Sequence, residues 1–143
     1  MFRTVSRKCL VVAMLAIVPF VLSACDDEDP IRPPTAPDPV TETFSGSITR
    51  NGAESKPFTV SAPGAVTATL KTIGADNTLV VGFMLGNWLN DSCSVVVAND
   101  SATGGTILTG TMSSAGTLCV RMYDVGNVPA GASVPYSVEV VHP

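Results

Sequence analysis

From Glu42 to the end come short runs in which apolar residues mostly alternate with hydroxyl-bearing ones, with Leu79–Leu85 continuously apolar and Cys93–Val97 β-branched, all too short to fill a helix. The runs are Phe44–Ile48, Phe58–Val60, Val66–Leu70, Leu79–Leu85, Cys93–Val97, Thr106–Met112, Leu118–Tyr123 and Tyr136–Val141. Period-2 patterning places one set of side chains on a core face and the other on a solvent face. Between the runs stand turn-forming clusters: Asn51-Gly52, Pro63-Gly64, Gly74 to Asn77, Asn90-Asp91 and Ala115-Gly116. Short β-branched runs separated by such turns describe an antiparallel sandwich or barrel of about eight strands. No stretch after the leader combines helical periodicity with caps. Residues 42–143 are enough for one two-layer core.

The run from Leu118 to Tyr123 offers two registers. In the first, Leu118, Val120 and Met122 enter the core while Cys119, Arg121 and Tyr123 face outward. The second buries Cys119 and Tyr123 but asks the core to hold Arg121. The first is preferred, and it requires Cys119 to meet Cys93 on a neighbouring strand or loop at the surface.

The chain starts differently. Met1 to Lys8 carries Arg3, Arg7 and Lys8 and no acid, and Cys9 to Phe20 is almost wholly apolar. A basic start, a short apolar run and small residues before a cut site read as a secretory signal. The run falls short of the ~20 apolar residues of a membrane span. Leu22-Ser23-Ala24-Cys25 closes it and resembles the lipobox of bacterial lipoproteins. That resemblance implies cleavage before Cys25, lipidation of the Cys25 thiol, and a membrane anchor of two or three acyl chains, palmitate among them. The expected divisions are 1–24 signal peptide, 25–41 lipidated cysteine with an acidic, proline-rich linker, and 42–143 β-sandwich.

The linker opens with Asp26, Asp27, Glu28 and Asp29 and contains five prolines, Pro30, Pro33, Pro34, Pro37 and Pro39. It has almost nothing to bury, and in polyproline II it reaches roughly 50 Å, a stalk rather than a strand. The formal net charge is −4, and removing the leader takes away three cations. With no basic patch, nucleic acid is disfavoured as a partner. Acidic residues also repel anionic headgroups, so the lipid must do the holding. An acidic residue after the lipid cysteine resembles an inner-membrane retention signal in some bacteria and a surface-export signal in others. The expected location is the cell envelope, facing the periplasm or the exterior. Of four cysteines, Cys9 leaves with the signal and Cys25 takes the lipid, which leaves Cys93 and Cys119 as an even pair in an oxidising compartment, read as a disulfide.

Ala115-Gly-Thr-Leu-Cys-Val-Arg-Met-Tyr-Asp-Val-Gly-Asn127 followed by Pro135-Tyr-Ser-Val-Glu-Val-Val-His-Pro143 resembles bacterial pre-peptidase C-terminal domains. The pairing of Gly64–Leu70 with Leu79–Phe83 matches their style too. The resemblance covers roughly residues 42 to 142. It implies a small jelly-roll-like β-sandwich in an auxiliary, noncatalytic role, and it carries over no catalytic residues.

Little here serves catalysis. The one histidine, His142, stands at the chain end and is expected to be a solvated tail residue, without the partner a triad needs. No phosphate loop or dinucleotide fingerprint occurs. Asp76, Asp91, Asp100 and Asp124 fall in expected loops, where carboxylates can hold Ca²⁺, but none is part of a DxDxDG array, so no metal or cofactor is assigned. The candidate ligand-binding residues are Trp88, in Gly86-Asn-Trp-Leu-Asn90, and the outward Tyr123. Their rings suit a sugar or a protein partner, while the plainer expectation for Trp88 is that it covers one end of the sandwich core. The expected product is a lipid-anchored envelope protein with a noncatalytic binding module for a protein or glycan, or else a structural envelope component without a specific ligand.

Overall fold

The computed structural model describes residues 37–143. The expected signal peptide, Cys25 and most of the expected linker lie outside the described residues. Eight strands follow in order: β1 Val40–Thr49, β2 Ala53–Val60, β3 Gly64–Ile73, β4 Val81–Leu89, β5 Ser92–Ala102, β6 Ile107–Met112, β7 Gly116–Tyr123 and β8 Ser133–His142. They form two four-stranded antiparallel sheets, β1-β8-β3-β6 and β2-β7-β4-β5. β1 pairs with β8, β2 with β7, β3 with β6 and β4 with β5. The chain is thus one long antiparallel ribbon, doubled back at the β4–β5 turn and rolled so that successive rungs fall in opposite sheets. This is a jelly-roll β-sandwich.

Local chemistry explains the ribbon's tip. Leu89 pairs with Ser92, leaving Asn90 and Asp91 as a two-residue loop with φ of 50° and 57°. Two consecutive left-handed residues match the twist of a tight hairpin, and Asn and Asp tolerate that region better than most residues. Asn51, at φ 57°, helps turn the chain from β1 to β2.

The core lies between the sheets and is built from alternate residues. Val66, Ala68 and Leu70 of β3 face Val81, Phe83 and Leu85 of β4, with Leu118, Val120 and Met122 of β7 and Tyr136, Val138 and Val140 of β8 around them. β7 therefore sits in the first of its two registers. In β3, a register shift at Lys71 resets the phase, so Ile73 rather than Thr72 turns inward. The continuous apolar run of β4 has a separate cause. Val81, Phe83 and Leu85 point into the main core, whereas Met84 belongs to a second buried cluster on the sheet's outer face.

His142 departs from expectation. It is the last residue of β8, in phase with Val138 and Val140, and is 3% exposed. Its Nε2 lies 2.9 Å from Glu42 Oε1 and its Nδ1 3.0 Å from the Pro143 carbonyl oxygen, with the ring centroid 5.4 Å from that of Phe58. β8 is flanked by β1 and β3 over this stretch, so strand pairing rather than sequence position decides its burial.

Candidate functional site

The outer face of sheet β2-β7-β4-β5 gathers the residues of interest. Even-numbered residues of β4 point outward there: Gly82, Met84, Gly86 and Trp88. In β7, Cys119 and Tyr123 join them, and Cys93 arrives from β5. Cys93 and Cys119 form a disulfide with a Cα–Cα separation of 5.8 Å. The bridge does not join neighbouring strands. β4 lies between β5 and β7, and Cys119 stands opposite Gly86 on it. A side chain at Gly86 would overlap the Ser94 backbone oxygen and lie 3.4 Å from Cys93 Sγ. Glycine at that point lets the start of β5 curl over β4 so that the two sulfurs meet.

Both candidate aromatics lie on this face, half-buried against the disulfide and Met84. Trp88 is part of β4 and covers this outer cluster, not the end of the main core. The Tyr123 ring lies over Gly82, where any Cβ would overlap it. Tyr123 stands opposite Gly82 on β4, and from there to Trp88 is six residues of extended chain, roughly 20 Å. The two rings are therefore the ends of a stripe: Tyr123, Met84, the disulfide, Trp88.

Polar groups cluster at the tyrosine end. The Tyr123 hydroxyl donates to Asp100 Oδ1. Burial, then the hydrogen bond and charge of Asp100, push the phenol up to about 12. Asp100 itself lies within β5, not in a loop as the sequence suggested. Arg121 stands opposite Met84 in the β4–β7 register and makes no ion pair among the described residues. A shallow depression of about 330 Å³ is lined there by Met84, Arg121, Tyr123 and the turn Asn51–Ala53.

The remaining acids serve their own chain. Asp124 Oδ2 accepts the Asn51 N–H at 2.9 Å, and Oδ1 accepts those of Gly126, Asn127 and Val128 at 2.8–3.0 Å. Four backbone donors, chiefly those of Asn51 and Val128, hold its carboxyl down at about 2 against an opposing desolvation. Asp76 Oδ1 accepts the Thr78 N–H at 3.2 Å. Among the described residues, no three His, Cys, Asp or Glu side chains converge as a metal site. At another rim of the sandwich, Glu54 accepts from Tyr136 Oη at 2.8 Å and pairs with Lys56 Nζ at 2.6 Å. Burial acts to raise the Glu54 carboxyl, but the hydrogen bonds from Lys56, Tyr136 and the Ser47 N–H outweigh it and hold the group below its ordinary value. Gly46 leaves the space this carboxylate fills.

The sequence singled out Trp88, Tyr123 and the cysteine pair, and turned Arg121 outward with Tyr123; the structure places them on one face and adds Met84, which the sequence reading did not name. The signal for Met84 was present in the unbroken apolar run of β4, which implies burial on both faces.

No family model matches the chain, and no curated protein matches it. Among solved structures it is similar to the periplasmic lysozyme inhibitor of g-type lysozyme from Aeromonas hydrophila, with 18% identity and a TM-score of 0.50, over 71% of this chain and 86% of that one. It is also similar to the Yersinia pseudotuberculosis-derived mitogen, with 13% identity and a TM-score of 0.49, over 74% of this chain and 88% of that one. At such identities the likeness is one of fold.

Proposed function

We propose that this chain is a lipid-anchored protein of the bacterial cell envelope whose jelly-roll domain is a noncatalytic protein-recognition module. The observation that carries the binding reading is the stripe on the outer sheet face. Tyr123 and Trp88, both half-buried, end one apolar stripe laid over the buried Met84 and pinned by a disulfide, with Arg121 beside it. Aromatic residues and arginine dominate binding energy at protein interfaces, and a rigid support lowers the entropy lost on docking. A protein partner fits better than a glycan. The Tyr123 hydroxyl is already engaged by Asp100, and a thioether and a disulfide, which offer sugar hydroxyls little, separate the two rings. Arg121 gives a partner carboxylate a place to pair.

A periplasmic lysozyme inhibitor with the same fold is a precedent for a sandwich of this kind acting by binding a protein. The disulfide supports an extracytoplasmic location. The lipobox-like Leu22–Cys25 supports cleavage before Cys25 and acylation of it, and the Asp26–Pro39 segment, two residues shorter than expected because β1 already begins at Val40, supports a stalk that holds the domain away from the lipid. The auxiliary role of pre-peptidase C-terminal domains is in keeping with this reading.

The test is cross-linking capture of the tagged chain from native envelopes, alongside Trp88→Ala and Arg121→Glu variants shown to fold. A protein retained by the natural chain and lost from both variants is the expected result. Capture indifferent to both changes sinks the stripe as the interface.

A further inference from the structure

The two sides of the sandwich treat their edge strands differently. On one side, β1 and β2 carry Glu42, Glu54, Lys56 and Pro57. Charges and proline are the usual guards against unwanted strand pairing. On the other side, β5 and β6 have no charged side chain from Cys93 to Asn99 or from Ile107 to Met112, and no proline in either stretch. Val95, Val96 and Ile107 are 62%, 58% and 59% exposed. β5 is broken by two register shifts, which blunt its edge. β6 is not: it pairs with β3 in unbroken register from Ile107 to Met112, and its other edge has no strand partner among the described residues.

Beside that edge, a cleft of about 350 Å³ opens between the sheets. Its apolar lining is Leu85, Val96, Met112 and Leu118. The cleft exists because β6 turns Leu108, Gly110 and Met112 inward and the middle one has no side chain. A Cβ at Gly110 would sit 3.3 Å from Leu85 Cδ2, so the missing side chain is an apolar one.

We propose that β6 is a docking edge for an extended, uncharged segment of a partner protein. The segment adds as a fifth strand to sheet β1-β8-β3-β6 and seats one apolar side chain in the cleft that Gly110 leaves. An added strand lies about 4.8 Å beyond β6 and turns alternate side chains toward the opposite sheet. Backbone hydrogen bonds supply affinity, and the uncharged cleft selects the side chain. The chain's own linker does not suit the role, because its prolines lack N–H groups and its acids would meet an uncharged wall. A second copy does not suit it either. The inward residues of its β6 already serve its own core, so it brings no free side chain to the cleft. This edge is separate from the stripe of Trp88 and Tyr123, and either can fail without the other.

The test uses the full chain, isotopically labelled, and capped peptides Thr-Val-Thr-X-Thr-Val with X as Leu, Gly or Glu. The Leu peptide is expected to slow amide exchange at alternate residues of Ile107–Met112 and to shift the Leu85 and Leu118 methyl signals. The Glu peptide should bind at least about tenfold more weakly, the scale of one buried aliphatic side chain. Gly110→Val, which fills the cleft from within, and Val96→Glu, which changes only an exposed rim residue, should each weaken the Leu peptide similarly while the fold persists. Equal binding of all three peptides, perturbation confined to other strands, or no response at millimolar peptide overturns the proposal. So does a concentration-dependent dimer that protects the same β6 amides without peptide, which would assign the edge to copies of this chain.

Discussion

At the scale of single residues, small side chains and committed carboxylates do the deciding. Gly86 is where β5 crosses β4. Gly86→Ala places a methyl group against the backbone oxygen of Ser94, and main chain yields poorly. Overpacking of this kind costs about 1–3 kcal/mol or more, to be read as a lowered urea midpoint. Asp124 ties the β7–β8 loop to the β1–β2 turn through four N–H groups. Its folded carboxyl, near 2, lies below the ordinary 3.8. The unfolded chain therefore binds the proton more readily, and this contribution is complete above about pH 4 and lost as pH falls toward 2. Thermal melts of Asp124→Asn should begin lower than those of the natural chain at neutral pH and should lose less between pH 4 and 2. A parallel slope in the two proteins would refute the assignment. At the alkaline end, Tyr123 is held protonated to about 12, and Tyr136, bonded to Glu54, is raised as well. Phenolate absorbance below about pH 11 should therefore appear chiefly on unfolding, with stability falling as pH rises from about 10 toward 12.

At the scale of elements, β4 is the strand on which the molecule depends. It is buried on both faces, by the main core on one side and by the disulfide cluster on the other. Phe83→Ala should cost about 3–5 kcal/mol, as for other large core truncations. The disulfide closes a separation of 26 residues. Replacing both cysteines with alanine should cost about 3 kcal/mol, chiefly by freeing the unfolded chain. Because the bridge also fixes β5 over Gly86, its loss should be read in amide exchange as well: β5 and Trp88 should open more often, with little change in β1 and β8. Equal loss of protection in every strand would show that the clip has no local role.

At the scale of the whole molecule, the proposed anchor at Cys25 is expected to be separable from the domain. Cys25→Ser should move the protein from the membrane fraction to the soluble one, or leave it unprocessed, without altering the melting of the β-sandwich. Intact mass of the natural protein should show the chain starting at Cys25 with acyl groups attached, and unmodified Cys25 would remove the anchor from the account. The chain's local chemistry determined the strand class, eight runs matched by eight strands, the Asn90-Asp91 turn and the pairing of Cys93 with Cys119. These follow from a period-2 pattern, from left-handed turn residues and from an even number of thiols, all properties of near neighbours or of composition. Only the tertiary structure decided the partners. β1 pairs with β8 from the far end of the domain, which buries His142 where sequence position suggested a tail. The rolling of the ribbon carries β5 over β4, turns Trp88 from a core cover into one end of an outer stripe, and leaves β6 without a strand partner on one side among the described residues. Strand pairing between segments distant along the chain is set by the summed packing of two sheets, and no single run of residues encodes that sum.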